Sequence, residues 1–136
     1  MMSTLAEIHT ALVSLVDGVS GLDPSPAGME DDDIPATGGW FVCRVTSLPD
    51  FSRTDGTGKC IAVIGYEVVI RAALVPDPNT RIGEALALYH ATLHAFRTDL
   101  PSVVSRIEAT EPAAPEYRDG AIYMFVPLNV HALLTQ

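Results

Sequence analysis

The chain has 136 residues, with 8 Lys and Arg against 17 Asp and Glu and a formal net charge of −9. An acidic surface repels nucleic-acid phosphates, so this charge argues against a protein that binds nucleic acid sequence-specifically. Apolar residues make up 48% of the chain and charged residues 18%, which excludes whole-chain disorder and predicts one globular domain over residues 1–136.

Cysteine content and hydropathy predict a protein made in the cytoplasm. Two cysteines, Cys43 and Cys60, are too few for a disulfide framework or a four-thiolate zinc site. We expect both to be small buried residues in a reducing compartment. No Lys or Arg precedes the first apolar stretch, so no signal peptide is expected. No apolar run approaches the roughly 18 residues that a membrane span requires, so no membrane partner is expected.

The first segment predicts an amphipathic helix. Thr4 and Glu7 have the spacing of a capping box. Apolar residues then recur at helical spacing, at Leu5, Ile8, Leu12, Leu15 and Val19. Because the intervening residues are mostly polar, we expect this helix to lie on the core rather than inside it.

Proline, glycine and charged residues predict mobile loops near 23–39, 49–58 and 112–120. The first loop carries the acidic cluster Glu30–Asp33, whose adjacent carboxylates lack the alternate spacing of a calcium-binding loop. We interpret this cluster as a solvated surface, with a partner contact as the alternative.

Strands are predicted at Gly39–Leu48 and Lys59–Val75. The even-numbered residues of the second strand form one apolar face, whereas Glu67 and Arg71 indicate that part of the opposite face is exposed. A strand of this length spans about 55 Å when extended, so its far end is expected to bend or to project.

A second helix is predicted after this strand, with Asp77 or Thr80 as its cap, Pro78 in its first turn and Pro101 beyond its end. We expect its apolar stripe to face the core, at Ile82, Leu86, Tyr89, Leu93, Phe96 and Leu100.

Two further strands are predicted at Val104–Thr110 and Ala121–Leu128. Pro127 indicates an edge or a bend in the second of them, and residues 129–136 are expected to form a short helix or a frayed end. The resulting order α-β-β-α-β-β predicts an α+β fold, a mainly antiparallel sheet with two helices packed on one face.

No motif in the sequence predicts catalysis, a metal site or a cofactor. His90 and His94 have a spacing that suits a metal, but Ala91 stands where a hydrolytic zinc helix carries Glu. The segment before Lys59 resembles part of a phosphate-binding loop, yet Arg53 replaces a required Gly and a strand follows instead of a helix.

The arrangement resembles the tail terminator, or tail-completion, proteins of long-tailed bacteriophages and related gene-transfer particles. The resemblance covers nearly the whole chain and is carried by the opening helix around Ile8–Val16, the strand Val68–Ala72, the helix Ile82–Leu100 and the closing strand Ile122–Val126. It implies a structural virion protein without catalytic residues.

The resemblance also implies partners and a location at the junction of tail and neck. Such a subunit forms a six-fold ring with copies of itself, caps the tail tube protein and presents a surface to the head-side connector, while DNA passes through the lumen. We expect subunit or partner contacts from two groups of charged residues, the loop residues Asp31, Asp32, Asp33, Arg53 and Asp55, and the strand residues Glu67 and Arg71.

Three alternatives stay open at this point. A neck stopper or head-completion protein also forms rings, and sequence patterning separates it poorly from a tail terminator. A small metal-dependent enzyme using His90 and His94 is the alternative from a different class. A monomeric binding module is the least specific interpretation.

Overall fold

The computed structural model describes residues 4–25, 37–49, 59–111 and 113–135. In this part of the chain, two helices and a mainly antiparallel sheet of six strands form the predicted α+β fold. The helices are α1 (Leu5–Asp17) and α2 (Pro78–Thr98). The strands are β1 (Leu22–Pro24), β2 (Gly39–Ser47), β3 (Lys59–Ala73), β4 (Arg106–Ala109), β5 (Glu116–Arg118) and β6 (Ala121–Thr135).

The centre of the sheet is the antiparallel pair β3 and β6. The strand order is β1-β2-β3-β6-β4, with β5 also paired with β6, and only the β1–β2 pair is parallel. Strands β3 and β6 pair along all 15 residues of each, from Lys59 opposite Thr135 to Ala73 opposite Ala121. The long strand expected from the sequence therefore has a partner of equal length.

The predicted order α-β-β-α-β-β is incomplete because two short strands lie within the predicted loops. Strand β1 is three residues long and pairs with the first residues of β2. Strand β5 forms a hairpin with β6 across Asp119 and Gly120, whose φ angles are 53° and 73°. Positive φ at both central residues is the geometry that an Asp-Gly turn favours between two twisted strands.

The prediction of a short helix or a frayed end for residues 129–136 is wrong, since β6 continues to Thr135. Val130, Ala132 and Leu134 are buried and alternate with half-buried residues, which is the pattern of a strand with one face on the core.

Pro127 lies in a stretch of β6 that, among the described strands, pairs with β3 alone, because the β5 ladder ends at Tyr123 and the β4 ladder begins at Leu128. The other side of β6 is therefore a local edge at Pro127, as predicted. The Pro127 carbonyl accepts a hydrogen bond from Thr110 N, so its ring nitrogen also points away from β3. The N–H that Pro127 lacks would point just beyond the β4 ladder, which starts at Leu128. The β3–β6 ladder is therefore unaffected by the proline.

Both helices begin at the predicted caps. Thr4 Oγ1 accepts a hydrogen bond from Glu7 N at 3.2 Å, and the Asp77 carboxylate accepts one from Asn79 N, with Pro78 opening α2. Among the described residues, neither helix combines the length and apolarity needed to cross a bilayer.

The face that α2 turns to the core agrees with the prediction only in part. Its buried residues are Arg81, Ala85, Leu88, Thr92 and Phe96, of which only Phe96 belongs to the expected stripe. Ala85 and Thr92 are small enough to let the helix approach the sheet closely, and the Arg81 guanidinium is satisfied by backbone carbonyls. The expected stripe lies beside this line. Its Tyr89 and Leu93 side chains are partly buried and pack against the core, whereas Leu86 is 52% exposed.

A single apolar core lies between the helices and one side of the sheet, which we call the covered face. It joins Ile8, Leu12 and Val16 of α1 to Leu88 and Phe96 of α2 and to alternate residues of the central strands. The strand residues are Phe41, Ala62, Ile64, Tyr66, Val68, Ile70, Ala72, Ile122, Met124, Val126, Leu128, Val130, Ala132 and Leu134. This arrangement confirms the prediction that both helices pack on one face of the sheet.

Candidate interaction surface

The opposite side of the sheet, which we call the outer face, carries the remaining alternate residues of β2, β3 and β6. Neither helix contributes to the small cluster that Trp40, Val69 and Phe125 form there with Ala73, Ala121 and Tyr123. The outer face combines aromatic, aliphatic and charged side chains, and Val42 and Val63 on it are 47% and 46% exposed. Such a surface is suited to binding a macromolecule.

The middle of the outer face is formed by a cross-strand ion pair. Arg44 of β2 lies opposite Glu67 of β3, and its Nε donates to Glu67 Oε1 at 2.7 Å. The Glu67 side chain is 15% exposed, whereas that of Arg44 is 57% exposed. The structure thus places Glu67 on a strand face, four residues from Arg71 and on the same side of the sheet.

One end of the outer face is a cluster of arginines and aromatic rings. Trp40, Arg71 and Tyr123 lie in one row across β2, β3 and β6. The Arg71 guanidinium carbon is 5.7 Å from the centre of each flanking ring, and Nη1 donates to the Tyr123 hydroxyl at 3.4 Å. The Arg118 guanidinium carbon lies 4.1 Å from the centre of the Tyr123 ring. Cation–π contacts hold both arginines in place.

A cavity of about 260 Å³ opens beside this cluster. Its lining combines the cationic and aromatic groups with apolar residues of β2 and β3, namely Ser25, Trp40, Phe41, Val42, Val69, Arg71 and Tyr123. Arg71 is a predicted contact residue, whereas its ring partners Trp40 and Tyr123 are not. Trp40, Val42 and Arg44 alternate along β2 in the sequence, and this alternation is the signal that places Trp40 on the same face as Arg44.

The other end of the outer face is a cluster around Glu108 of β4. Glu108 Oε1 lies 2.8 Å from His131 Nε2 and also contacts the Arg106 guanidinium. Arg106 and Glu108 share this face, while Ile107 packs against the core. Sequence reasoning missed His131 because residues 129–136 were not expected to form a strand.

A bulge in β2 separates the middle of the outer face from this second end. The β2–β3 register shifts between Val45 and Ser47, and the Thr46 and Ser47 hydroxyls come over Gly65. A Cβ atom at Gly65 would lie 2.8 Å from both hydroxyl oxygens, so a larger residue at this position would force Thr46 and Ser47 to move.

Five of the predicted contact residues, Asp31, Asp32, Asp33, Arg53 and Asp55, lie outside the described residues. Glu67 and Arg71 are therefore the two predicted contact residues that the structure places, and both lie on the outer face.

His90 and His94 both lie on the predicted second helix, α2, and both positions are exposed. Within residues 4–25, 37–49, 59–111 and 113–135, no group of three or more His, Cys, Asp and Glu side chains is placed to hold a metal ion.

A separate hydrogen-bonded group connects α1 to the covered face. The Tyr66 hydroxyl lies 3.0 Å from His9 Nδ1, and the Tyr66 side chain also bonds to Cys43. Burial raises the pKa of the Cys43 thiol to about 11, although the hydrogen bond with Tyr66 lowers it in part. Burial, the charge of Cys43 and their hydrogen bond all raise the pKa of Tyr66. The thiol is thus protonated at neutral pH, which makes it a poor nucleophile.

Comparisons with known proteins do not assign the chain to a family. No family model matches it, and no curated protein matches it. A functional interpretation therefore depends on the outer face and on the order of the elements.

Proposed function

We propose that this protein is a structural virion subunit similar to phage tail terminators. In this role, copies of the chain form a ring, with six-fold symmetry, on the end of the tail tube. The ring stops tube polymerisation and joins the tube to the head-side connector. The subunit has no catalytic residues and needs no cofactor or metal.

The observation that carries the proposal is the outer face. A sheet whose covered face is packed against two helices presents aromatic, aliphatic and paired charged groups on its other side. Fully buried interface cores are enriched in aromatic residues and arginine, both of which the outer face presents. Glu67 and Arg71 are the contact residues we assign to it, and we add Asp31, Asp32, Asp33, Arg53 and Asp55 as loop contacts.

The net charge of −9 per copy is compatible with the proposed location. A ring of acidic subunits repels the DNA backbone, so DNA slides through such a lumen without sticking. The same charge is compatible with a ring whose acidic residues lie on its outer surface.

Native mass spectrometry across a concentration series, without chelator, tests the ring. We expect a metal-free species of six subunits. The variant Glu67→Lys, which reverses a charge on the outer face, should weaken this species, whereas Asp17→Lys, which reverses an exposed charge at the end of α1, should not.

If the isolated chain is a metal-free monomer, its binding to tail tubes assembled from the tube protein of the same genome is tested next. Capping of the tube ends by the chain, seen by electron microscopy, supports the tail terminator. Binding to the connector without binding to tubes favours the neck stopper. If the first native mass spectrum instead shows one zinc ion per chain, lost in His94→Ala, it supports the metal-dependent enzyme. A monomer that binds neither tubes nor connector contradicts both ring proposals.

A further inference from the structure

We infer that the two edges of the sheet bind each other in neighbouring copies, so that β2 of one subunit pairs with β4 of the next. This inference rests on the proposed ring and deepens it, because it names the strands and the register that join the subunits.

The first edge belongs to β2. Strand β1 pairs with β2 only from Gly39 to Phe41, and beyond Phe41 the described strands give β2 no partner except β3. The Phe41 carbonyl accepts a hydrogen bond from Ser25 N on the β1 side, so alternation directs the N–H and C=O groups of Cys43 and Val45 to that side as well. Residues 44–47 are all exposed, and a further strand can add to this edge.

The second edge belongs to β4, at the opposite end of the sheet. Among the strands of the described residues, β4 pairs with β6 alone. Thr110 N donates to the Pro127 carbonyl of β6, so alternation points the N–H and C=O groups of Ile107 and Ala109 away from β6. Three of the four residues of β4 are exposed, which leaves this edge accessible to another chain.

The directions of the strands suit a head-to-tail arrangement. Each neighbouring pair in the series β2, β3, β6 and β4 is antiparallel, so β2 and β4 run in opposite directions. A neighbouring copy rotated about an axis along the strands therefore brings its β4 antiparallel to β2, with its outer face on the same side. Contacts between two different edges generate a closed ring or an open filament, whereas a contact between two identical edges gives a dimer.

One register satisfies the backbone groups of both edges. It places Cys43 opposite Ala109 and Val45 opposite Ile107, so that each pair exchanges two hydrogen bonds across the interface. Cys43 and Ile107 both pack against the core, which puts all four side chains on the covered face of a continuous sheet. A slip by one residue would place facing side chains on opposite sides of the sheet.

Charge favours the same register over its neighbours. The register places Arg44 opposite Glu108 on the outer face, whereas a shift by two residues places Arg44 opposite Arg106 or Thr110. Arg44 keeps its contact with Glu67 in this arrangement, because a guanidinium has five N–H donors. Glu67, Arg44 and Glu108 then form a row of alternating charge across the interface.

Disulfide trapping tests this register. The double variant Val42→Cys, Thr110→Cys, in a Cys43→Ser, Cys60→Ala background, places thiols at directly opposed positions of the two edges. Within one subunit these positions are three strand spacings apart, about 14 Å, so a disulfide forms only between copies. Under mild oxidation we expect a ladder of covalent oligomers on a non-reducing gel. The control Val42→Cys, Ala109→Cys places the thiols on opposite faces and should give no ladder.

A proline variant tests the backbone hydrogen bonds independently of the disulfide. Ala109→Pro removes an N–H that β4 does not use in its own ladder, and leaves the Cys43 carbonyl of the next copy without its donor. We expect assembly to weaken by at least about tenfold in native mass spectrometry across a concentration series. Ala109→Ser keeps the N–H and should assemble as the unmodified chain does. Thermal unfolding shows whether each variant folds, and the disulfide test stands if Ala109→Pro does not.

The outcomes separate this inference from the ring proposal. A species of six subunits that does not cross-link in the double variant, or that folded Ala109→Pro leaves undiminished, overturns the inference and leaves the ring standing. Cross-linking in Val42→Cys alone overturns it in favour of a dimer of β2 edges. Cross-linked assemblies with a subunit number other than six support the inference and contradict the six-fold ring. A chain that stays unlinked and monomeric, in solution and on tail tubes, overturns both.

Discussion

The covered face and the outer face belong to the same strands but have opposite chemistry. Along β3, Val68 and Ile70 are fully buried under the helices, whereas their neighbours Glu67 and Arg71 take part in polar contacts on the outer face. Because side chains alternate along a strand, one short segment supplies both a core and a binding surface. Substitutions at neighbouring positions should therefore separate stability from binding.

Arg81 is the main exception to this separation, because it is a charged residue buried on the side of the apolar core. It is 2% exposed, and its Nε and Nη2 donate to the carbonyls of Ala73 and Gly38 at 2.7 and 2.8 Å. The same guanidinium pairs with Glu84. These hydrogen bonds connect the start of α2 to the end of β3 and to Gly38, the residue before β2.

Arg81→Met should have the largest effect of the substitutions considered, a loss of about 3–5 kcal/mol in the free energy of unfolding, because it leaves buried carbonyls without donors. Urea unfolding followed by circular dichroism measures this loss. Arg97→Met, at an exposed site in the last turn of α2, is the control and should cost less than about 1 kcal/mol. Equal effects in the two variants would contradict the role given to Arg81.

Two valines of β3 test the contrast between the faces with the same chemical change. Val68 on the covered face is 0% exposed, and Val63 on the outer face is 46% exposed. Val68→Ala should cost about 2–3 kcal/mol through lost burial and a cavity. Val63→Ala should cost less than about 1 kcal/mol, since half of its surface is already in water. Similar losses in the two variants would mean that the outer face is covered in the isolated chain.

The Cys43 thiol reports the burial of the covered face through its pKa. In a Cys60→Ala background, alkylation of Cys43 by iodoacetamide should be slow at pH 8 and should accelerate with rising pH until about pH 11. The direction follows from burial, which favours the neutral thiol in the folded state. The folded protein therefore loses stability as the pH rises through this range. A rate that levels off near the pKa of an exposed thiol would contradict the burial of Cys43.

The sequence predicted the local elements that depend on short-range signals. The caps at Thr4 and Asp77 follow from side chains that satisfy free helix N–H groups, and the two faces of β3 follow from alternation. Glu67 and Arg71 could be placed on one face for the same reason. The pairing of Trp40 and Tyr123 around Arg71 could not, because the register between three strands depends on tertiary contacts.

The errors arose where tertiary contacts override a local pattern. Apolar spacing in α2 predicted only one side of its buried face, because Tyr89, Leu93 and Phe96 do contact the core. The most buried line instead carries Ala85, Thr92 and a satisfied Arg81, while Leu86 is exposed. The polar residues Asn129 and His131 obscured the second half of β6, whose buried residues Val130 and Ala132 alternate with them. The Asp119-Gly120 pair was available as a hairpin signal and would have revealed β5.

The Arg44–Glu67 pair gives the smallest expected effect and the sharpest test of whether the outer face is solvated. A double-mutant cycle with Arg44→Gln and Glu67→Gln should give a coupling energy below about 1 kcal/mol at low salt, because Arg44 is 57% exposed. The coupling should fall toward zero near 1 M salt, where the screening length is about 3 Å. A large, salt-insensitive coupling in dilute monomer would contradict an open outer face. Under the ring proposal, the coupling instead rises at concentrations where subunits assemble, since a neighbouring copy then excludes water from the pair.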